Sequence, residues 1–251
     1  MEPTVTAVMI TGKHASRVDL ALAAIRSFDK QIYKNKDLLI INDGAEPLFT
    51  NAIPLNIREL QLPKGMTLGE LRNVGLAEAT GDLIMQWDDD DWSHPIRMGY
   101  QVKAWEQTPS NAVLLKWQVR YSFITDSAKY WGWTDNHPTV PGIPGTILHA
   151  NTPNLSYRSE SRAEDDHFLE DHFGDRITVL ENSPAREQAH YYVRFYHGGN
   201  TWSEKHVMGE SGTTGDRGPK GDRGPGGWDL EQSTQDYLKS LLKYEYAERL
   251  R

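Results

Sequence analysis

The amino-acid sequence predicts an α/β fold in which helices flank a mostly parallel sheet. Three observations predict this class. Short apolar runs alternate with helical patterns in the first half of the chain, two of those helical patterns are long enough to connect parallel strands, and three apolar runs end in polar turns. The 251 residues are 38% hydrophobic and 25% charged, which suits one large domain with an appendage.

The first half of the chain supplies the expected sheet and its two connecting helices. Short apolar runs are typical of buried strands, whereas Val18, Leu22 and Ile25 follow the spacing of a helix that is apolar on one face. We therefore expect strands over residues 4–10, 37–44, 57–62 and 82–87, and helices over residues 17–29 and 68–79.

The second half of the chain has a less regular pattern. Strands are expected over residues 112–123 and 191–196, and a helix over residues 163–173. Residues 131–153 are rich in Pro, Gly and Trp, and this composition predicts a long loop.

A collagen-like repeat follows, with glycine at every third position from Gly209 to Gly227. We expect a flexible or polyproline-like spacer over residues 208–227, and a triple helix that joins three chains is the alternative. Residues 228–251 place leucine and tyrosine at helical intervals, which predicts an amphipathic C-terminal helix. The remaining residues, 1–207, form the predicted α/β domain.

The composition argues against several classes of protein. A formal net charge of −8 disfavours non-specific binding to nucleic acid, and the lack of cysteine excludes disulfide scaffolds, thiol nucleophiles and zinc–cysteine sites. No apolar run approaches the roughly 20 residues that span a bilayer, and the first residues lack the pattern of a signal peptide. We therefore expect a soluble, cytoplasmic protein without stable membrane association.

Polar turns follow three of the predicted strands, at Thr11-Gly12, at Asn42-Asp43-Gly44 and at the four aspartates 88–91. In an open parallel sheet, ligands bind beyond the carboxyl ends of the strands, so these turns are expected to meet. Four adjacent carboxylates repel one another unless water or a divalent cation screens them, and Mg²⁺ and Mn²⁺ prefer such oxygen ligands. A solvated acidic turn is the alternative interpretation.

These features resemble family 2 glycosyltransferases of the GT-A fold, whose Rossmann-like sheet agrees with the predicted class. The resemblance rests on ordered, correctly spaced stretches that include the Asn42-Asp43-Gly44 turn and the aspartates between Trp87 and Trp92. The family usually has Asp-Asp-Gly where this chain has Asn42-Asp43-Gly44, and this departure affects the role expected for position 42 but not the one expected for Asp43. The matching stretches are residues 24–28, 31–33, 39–44, 71–82 and 87–92.

The resemblance implies a donor site for a nucleotide diphosphate sugar, with a UDP-sugar as the expected donor. Thr11 would border the nucleotide, Asp43 would accept a hydrogen bond from the base, and Arg72 would lie near the phosphates or the base. Asp88 would face the ribose or the sugar, and Asp89 is included in this donor-binding set.

The resemblance also implies a metal site for Mn²⁺ or Mg²⁺. Asp90 would bind the metal in the family's Asp-x-Asp pattern, with Asp91 beside it. His197, which follows a late strand and precedes two glycines, resembles the histidine that completes the metal or diphosphate site in related enzymes. A purely structural or exposed histidine is the alternative.

An inverting transfer needs a base that takes the proton of the acceptor hydroxyl, and the resemblance implies a Glu-Asp pair at the start of a helix. Asp165 is the expected base in this chain, with Asp166 as the competing candidate. Carboxylates in the first turn also stabilise a helix without any catalytic role, which is the alternative interpretation.

The sequence thus predicts a metal-dependent, inverting glycosyltransferase that moves a sugar from a nucleotide diphosphate sugar to an acceptor hydroxyl. The acceptor class stays open between glycan, protein and modified nucleic acid, and homo-oligomer formation stays open as well. Two other hypotheses are kept: a sugar nucleotidyltransferase, and a sugar-binding or structural module that the collagen-like stretch joins into a trimer.

Overall fold

The computed structural model describes most of the predicted domain and a few residues of the tail. The described residues are 1–12, 17–49, 53–108, 111–132, 140–183, 189–200, 203–208, 228–229, 236 and 240. The strands are β1 (Val5–Thr11), β2 (Lys36–Asn42), β3 (Ile57–Gln61), β4 (Leu83–Gln86), β5 (Trp92–Ser93), β6 (Ala112–Leu115), β7 (Trp117–Ser122), β8 (Ser127–Gly132), β9 (Ile143–Ala150), β10 (Ile177–Leu180), β11 (Tyr192–Tyr196) and β12 (Trp228–Asp229). The helices are α1 (Val18–Asp29), α2 (Leu68–Glu78), α3 (Arg97–Gln107), α4 (Glu164–His172) and α5 (Glu204–Val207).

Within these residues, seven strands form a large sheet in the order β10-β6-β9-β4-β1-β2-β3. β1, β2, β3 and β4 run parallel, as do β6 and β10, while β9 is antiparallel to both of its neighbours. The prediction of an α/β fold with a mostly parallel sheet and flanking helices is therefore confirmed. A second sheet, in the order β12-β8-β7-β11-β5, contributes the late strand β11.

The two connecting helices are positioned by their sequences. On α1, Ala24 and Phe28 are fully buried; the indole Nε1 of Trp87 donates a hydrogen bond to the Ala24 carbonyl at 3.0 Å, and Phe28 meets the Trp87 ring edge-on. On α2, Thr67 and Glu70 form a reciprocal capping box that satisfies backbone N–H groups at the helix start. Both helices therefore begin and pack where the sequence predicts, and they support the carboxyl ends of β1, β2 and β4.

The loop predicted over residues 131–153 is wrong for two parts of that range, and residues 133–139 lie outside the described residues. β8 extends to Gly132, and Ile143–Ala150 is a central strand, β9, between β4 and β6. Pro144 and Gly145 hid this strand from the sequence pattern. A Cβ atom at Gly145 would lie 2.9 Å from Asp88 Oδ2, so the lack of a side chain there leaves room for this carboxylate.

The strand predicted over residues 112–123 is in fact two strands in different sheets. The chain leaves β6 after Leu115 and enters β7 at Trp117, where Asn182 Oδ1 accepts hydrogen bonds from the Lys116 and Trp117 N–H groups at 3.0 Å. The sequence pattern also missed α3 and β10. β10 lies at the edge of the large sheet, whereas α3 packs Met98 and Val102 into the core and carries Arg97, whose Nη2 donates to the Gln86 carbonyl at 3.5 Å.

The C-terminal predictions fall largely outside the described residues. Residues 209–227, which hold the collagen-like repeat, lie outside them, so the predicted spacer stays a prediction. Trp228–Asp229 forms the short strand β12, antiparallel to β8, so the predicted C-terminal helix does not begin at residue 228. Further along the tail, Asp236 and Ser240 are helical. Among the described residues, no helix combines the length and apolar character that crossing a bilayer requires.

Candidate active site

The carboxyl ends of β1, β2 and β4 and the start of α4 enclose one cavity. Eight of the residues that the sequence singles out line it: Thr11, Asp43, Arg72, Asp88, Asp89, Asp90, Asp91 and Asp165. His197 lies next to this group, with its Nε2 atom 3.2 Å from Asp90 Oδ2. Asp166 is not among the lining residues. The polar turns of the parallel strands therefore do meet, as the sheet geometry predicts.

Two glycines let the turns after β1 and β2 approach each other. Gly12 has a φ of +119°, and a Cβ atom there would lie 2.2 Å from the backbone nitrogen of Gly44. Asn42 fixes the second turn, because its Oδ1 accepts from the Gly44 N–H at 2.7 Å and its Nδ2 donates to Glu59 Oε1 at 2.6 Å. This turn presents Asp43, whose Oδ1 is buried and has no hydrogen-bond partner among the described residues.

Asp88 lies at the centre of a hydrogen-bond network. Its Oδ1 accepts from Gln86 Nε2 at 3.0 Å and from Arg72 Nη2 at 3.5 Å, and its Oδ2 lies 3.2 Å from the Tyr192 hydroxyl oxygen. These neighbours come from β4, α2 and β11, so groups on three elements surround one carboxylate.

Asp91 lines the cavity, but both of its carboxylate oxygens have partners on β11. Its Oδ1 accepts from the Phe195 N–H at 3.0 Å, and its Oδ2 accepts from the hydroxyl of Tyr192. Burial, and then the neighbouring carboxylates of Asp90 and Asp88, raise the pKa of Asp91 well above its ordinary value. Both oxygens of Asp91 therefore already serve to join the aspartate run to β11.

Asp89 and Asp90 share one cation, the guanidinium of Arg17. Its Nη2 lies 2.7 Å from Asp90 Oδ2 and is also hydrogen-bonded to Asp89 Oδ1. Burial alone would raise the pKa of Asp90, but Arg17 and His197 lower it to about 2. Burial raises the pKa of Asp89 to about 7 despite Arg17, which leaves the two neighbouring carboxylates with very different proton affinities.

The start of α4 carries the carboxylates of the Glu-Asp pair. Asp165 lines the cavity, and its Oδ1 accepts from the Asp166 N–H at 3.0 Å. Glu164 is only 3% exposed and accepts from Arg72 Nε at 3.1 Å. Burial, followed by the charge of Asp165, raises the pKa of Glu164 to about 7, and Arg72 opposes this shift.

Sequence reasoning missed Arg17, Glu164 and Arg194 as functional candidates. Arg194 lines the cavity from β11, between the buried core residues Val193 and Phe195. The alternation of side chains along a strand could have pointed to Arg194, since a cation between two apolar residues faces the opposite side. No local pattern indicates Arg17 or the burial of Glu164.

Comparison with known proteins gives a family match and relatives of the same fold. The sequence model described as "Glycosyl transferase family 2" matches residues 15–174, which are well over half of the chain. YwdF from Bacillus subtilis (strain 168), described as an uncharacterized glycosyltransferase, is 26% identical over 111 residues, which are 42% of this chain and 41% of YwdF.

Two solved structures share the architecture. TarS 1-349 from S. aureus in complex with UDP-GlcNAc gives a TM-score of 0.58 at 16% identity and covers 78% of this chain and 60% of that one. The same protein in complex with UDP gives a TM-score of 0.57 at 15% identity and covers 96% of this chain and 71% of that one. The chain therefore shares the fold of TarS, while it spans less than two thirds of the length of YwdF.

Proposed function

This chain belongs to glycosyl transferase family 2, and from that membership we propose that it transfers a sugar from a nucleotide diphosphate sugar to an acceptor hydroxyl. One observation carries the proposal. The cavity at the carboxyl ends of the parallel strands holds several buried polar atoms that have no partner among the described residues.

These atoms support a donor site. Asp43 Oδ1, Gln86 Oε1, Asp89 Oδ2 and Arg17 Nε are all buried without a partner in the described part of the chain, and all four residues line the cavity. Leaving buried polar groups unpaired costs about 1 to 3 kcal/mol each, so such atoms at one place indicate a ligand that would pair with them.

We assign the donor contacts accordingly. Asp43 accepts a hydrogen bond from the base, Thr11 borders the nucleotide, and Asp88 faces the ribose or the sugar, with Arg72 and Asp89 beside them. A UDP-sugar is the proposed donor, and the TarS complexes with UDP-GlcNAc and UDP support this choice through the shared fold.

The charge of the cavity supports a divalent cation. Seven carboxylates and four guanidinium groups line it, and burial together with neighbouring carboxylates raises the pKa of three of the seven, Asp89, Asp91 and Glu164. A negatively charged diphosphate would be repelled from such a cavity unless a cation accompanied it. Among the described residues no three His, Cys, Asp or Glu side chains are arranged to hold a metal, but Mg²⁺ and similar ions often use one or two protein ligands with substrate phosphates.

The side chains present fit Mn²⁺ or Mg²⁺ in this way. Asp90 Oδ2 and His197 Nε2 would be the protein ligands, and Asp91 would hold the aspartate run in place from behind. When bound, the ion would act as a Lewis acid that neutralises the charge of the departing diphosphate.

For the transfer itself, we propose that Asp165 is the general base of an inverting reaction. Its carboxylate accepts the proton of the acceptor hydroxyl while that oxygen forms a bond to the anomeric carbon. The bond from the anomeric carbon to the phosphate oxygen breaks, and its electron pair leaves with the nucleoside diphosphate. Asp165 is a better candidate for this role than Asp166, because Asp165 lines the cavity and Asp166 does not.

The experiment that tests the proposal is a thermal-unfolding screen of the purified chain with UDP, GDP, dTDP, CDP and ADP and their common sugars. Each nucleotide is measured with Mn²⁺ and with a chelator. A ligand at about 100 times its dissociation constant adds about 2.7 kcal/mol to the stability of the folded state. We expect UDP and UDP-sugars to raise the unfolding temperature with Mn²⁺ but not with the chelator. We also expect the protein to hydrolyse the UDP-sugar or to transfer its sugar. If no nucleotide raises the unfolding temperature, the proposed donor site is wrong.

A further inference from the structure

One oxygen atom in the cavity has two partners that a metal ion would disturb. Asp90 Oδ2 lies 2.7 Å from Arg17 Nη2 and 3.2 Å from His197 Nε2. A metal ion bound to this oxygen and to the imidazole would be placed beside the guanidinium, and two cations at that distance repel each other. Arg17 in its present position and a metal at Asp90 therefore exclude each other.

Arg17 uses only part of its hydrogen-bonding capacity in this position. Its Nε is buried and has no hydrogen-bond partner among the described residues, and neither has Asp89 Oδ2 on the other side of the ion pair. The guanidinium of an arginine carries its positive charge throughout the pH range in which proteins are studied. Arg17 lines the cavity, and a planar guanidinium is suited to bind phosphate oxygens through two parallel hydrogen bonds when it turns away from the carboxylates.

We propose that Arg17 is an exchangeable cation of the donor site. Before the donor binds, its guanidinium neutralises Asp89 and Asp90; when the metal and the donor enter, it leaves Asp90 and binds the diphosphate. The inference rests on the proposed function, because it describes how Arg17 changes its ion-pair partners in the proposed donor site. In the absence of a divalent ion, Arg17 also reduces the electrostatic repulsion among the four adjacent aspartates.

The first arm of the test measures metal binding without any nucleotide. Arg17→Met removes the competing cation, so the affinity for Mn²⁺ alone, read from the EPR signal of free Mn²⁺, should increase about tenfold, which corresponds to about 1.4 kcal/mol. An unchanged or weaker Mn²⁺ affinity overturns the proposal. Arg58→Met is the matched control, because Arg58 pairs with Glu78 on the exposed surface away from the cavity.

The second arm measures binding of inorganic pyrophosphate at saturating Mn²⁺, by calorimetry, so that no nucleotide base needs to be chosen. The Arg17→Met protein should bind pyrophosphate about tenfold more weakly than the unaltered protein. Equal affinities would overturn the step in which Arg17 moves to the diphosphate. If Arg17→Met does not fold, Arg17→Gln is used in both arms, because its neutral amide removes the positive charge while keeping a polar side chain, and changes in the same directions are expected.

The two proposals fail in different ways. If the unaltered protein binds pyrophosphate with Mn²⁺ and Arg17→Met matches it in both arms, the exchange is wrong and the donor site stands. If the unaltered protein binds neither probe, the donor site is wrong. In that case a gain of Mn²⁺ binding by Arg17→Met would still support the competition at Asp90, and no gain would overturn it.

Discussion

The Nε atom of Arg72 donates a hydrogen bond to Glu164 Oε1 at 3.1 Å, although the two residues are 92 positions apart in the sequence. The same guanidinium reaches Asp88 Oδ1 at 3.5 Å through Nη2. A single buried cation on α2 thus connects the aspartates after β4 with the first residue of α4. Arg72 therefore links Asp88, which is proposed to face the donor, to the helix turn that carries the proposed base Asp165.

Glu164 should make the stability of the protein depend on pH. Its pKa is raised from 4.5 to about 7, chiefly by burial, so the folded protein binds a proton there more tightly than the unfolded chain does. The free energy of unfolding contributed by Glu164 therefore falls as the pH rises from about 4.5 to about 7 and is level above that. The side chain at position 164 of the Glu164→Gln protein cannot ionise, so this variant should lack the pH-dependent decrease in the free energy of unfolding. That decrease is at most about 3 kcal/mol.

Urea unfolding of both proteins between pH 4 and pH 8 measures the effect. Glu70→Gln is an informative contrast, because hydrogen bonds from Thr67 lower the pKa of Glu70. The stabilisation by Glu70 is present above its unfolded pKa and is lost as the pH falls through its folded pKa. A difference between the unaltered protein and Glu164→Gln that does not change with pH would contradict the prediction.

Some parts of the site could be predicted from the sequence because they depend on local pattern. β1, β2 and β4 are short apolar runs, and the turns at Thr11, Asp43 and Asp88 follow them directly, so a parallel sheet brings the turns together. Strand β9 could not be predicted, because Pro144 and Gly145 interrupt its apolar pattern, and the close approach of Gly145 to Asp88, a residue distant in sequence, is visible only in the structure.

The electrostatic partners could not be predicted for the same reason. Arg17 meets Asp89 across 72 positions of sequence, and Arg72 meets Glu164 across 92. Ion pairs of this kind depend on how the helices pack on the sheet. The periodicity of residue types in the sequence does not predict that packing.

Asp165 and Asp166 can be separated by one pair of variants. Asp165 lines the cavity and Asp166 does not, so Asp165→Asn should lower kcat by about 100-fold to 10,000-fold while donor binding is retained, as expected for the loss of a general base. Asp166→Asn should retain most of the turnover. Single-turnover kinetics with saturating donor distinguish these outcomes, and the reverse ranking of the two variants would move the base to Asp166.

Asp90→Asn should remove the metal dependence of donor binding. The substitution takes away the charged oxygen that lies next to His197 Nε2, and we expect a loss of turnover of about 100-fold or more, together with loss of the Mn²⁺-dependent rise in thermal stability. Asp82→Asn is the control, since Asp82 accepts a hydrogen bond from the Thr4 N–H at the opposite end of the strands. If Asp90→Asn keeps the Mn²⁺ response, the metal does not depend on Asp90.

Gly12 offers a test of the close approach between the turns after β1 and β2. Gly12 and Gly65 both have positive φ angles, +119° and +108°, but a Cβ atom at Gly12 would lie 2.2 Å from Gly44 N, whereas no atom lies within 4 Å of a Cβ at Gly65. Gly65→Ala should therefore cost only the backbone strain of about 1 to 3 kcal/mol. Gly12→Ala should cost about 1 to 3 kcal/mol more, because one of the turns must move. That movement displaces Asp43, so Gly12→Ala should also weaken nucleotide binding in the calorimeter, while Gly65→Ala should not. Equal unfolding free energies for the two variants would show that the turns have room to separate, and that Asp43 is not held by their contact.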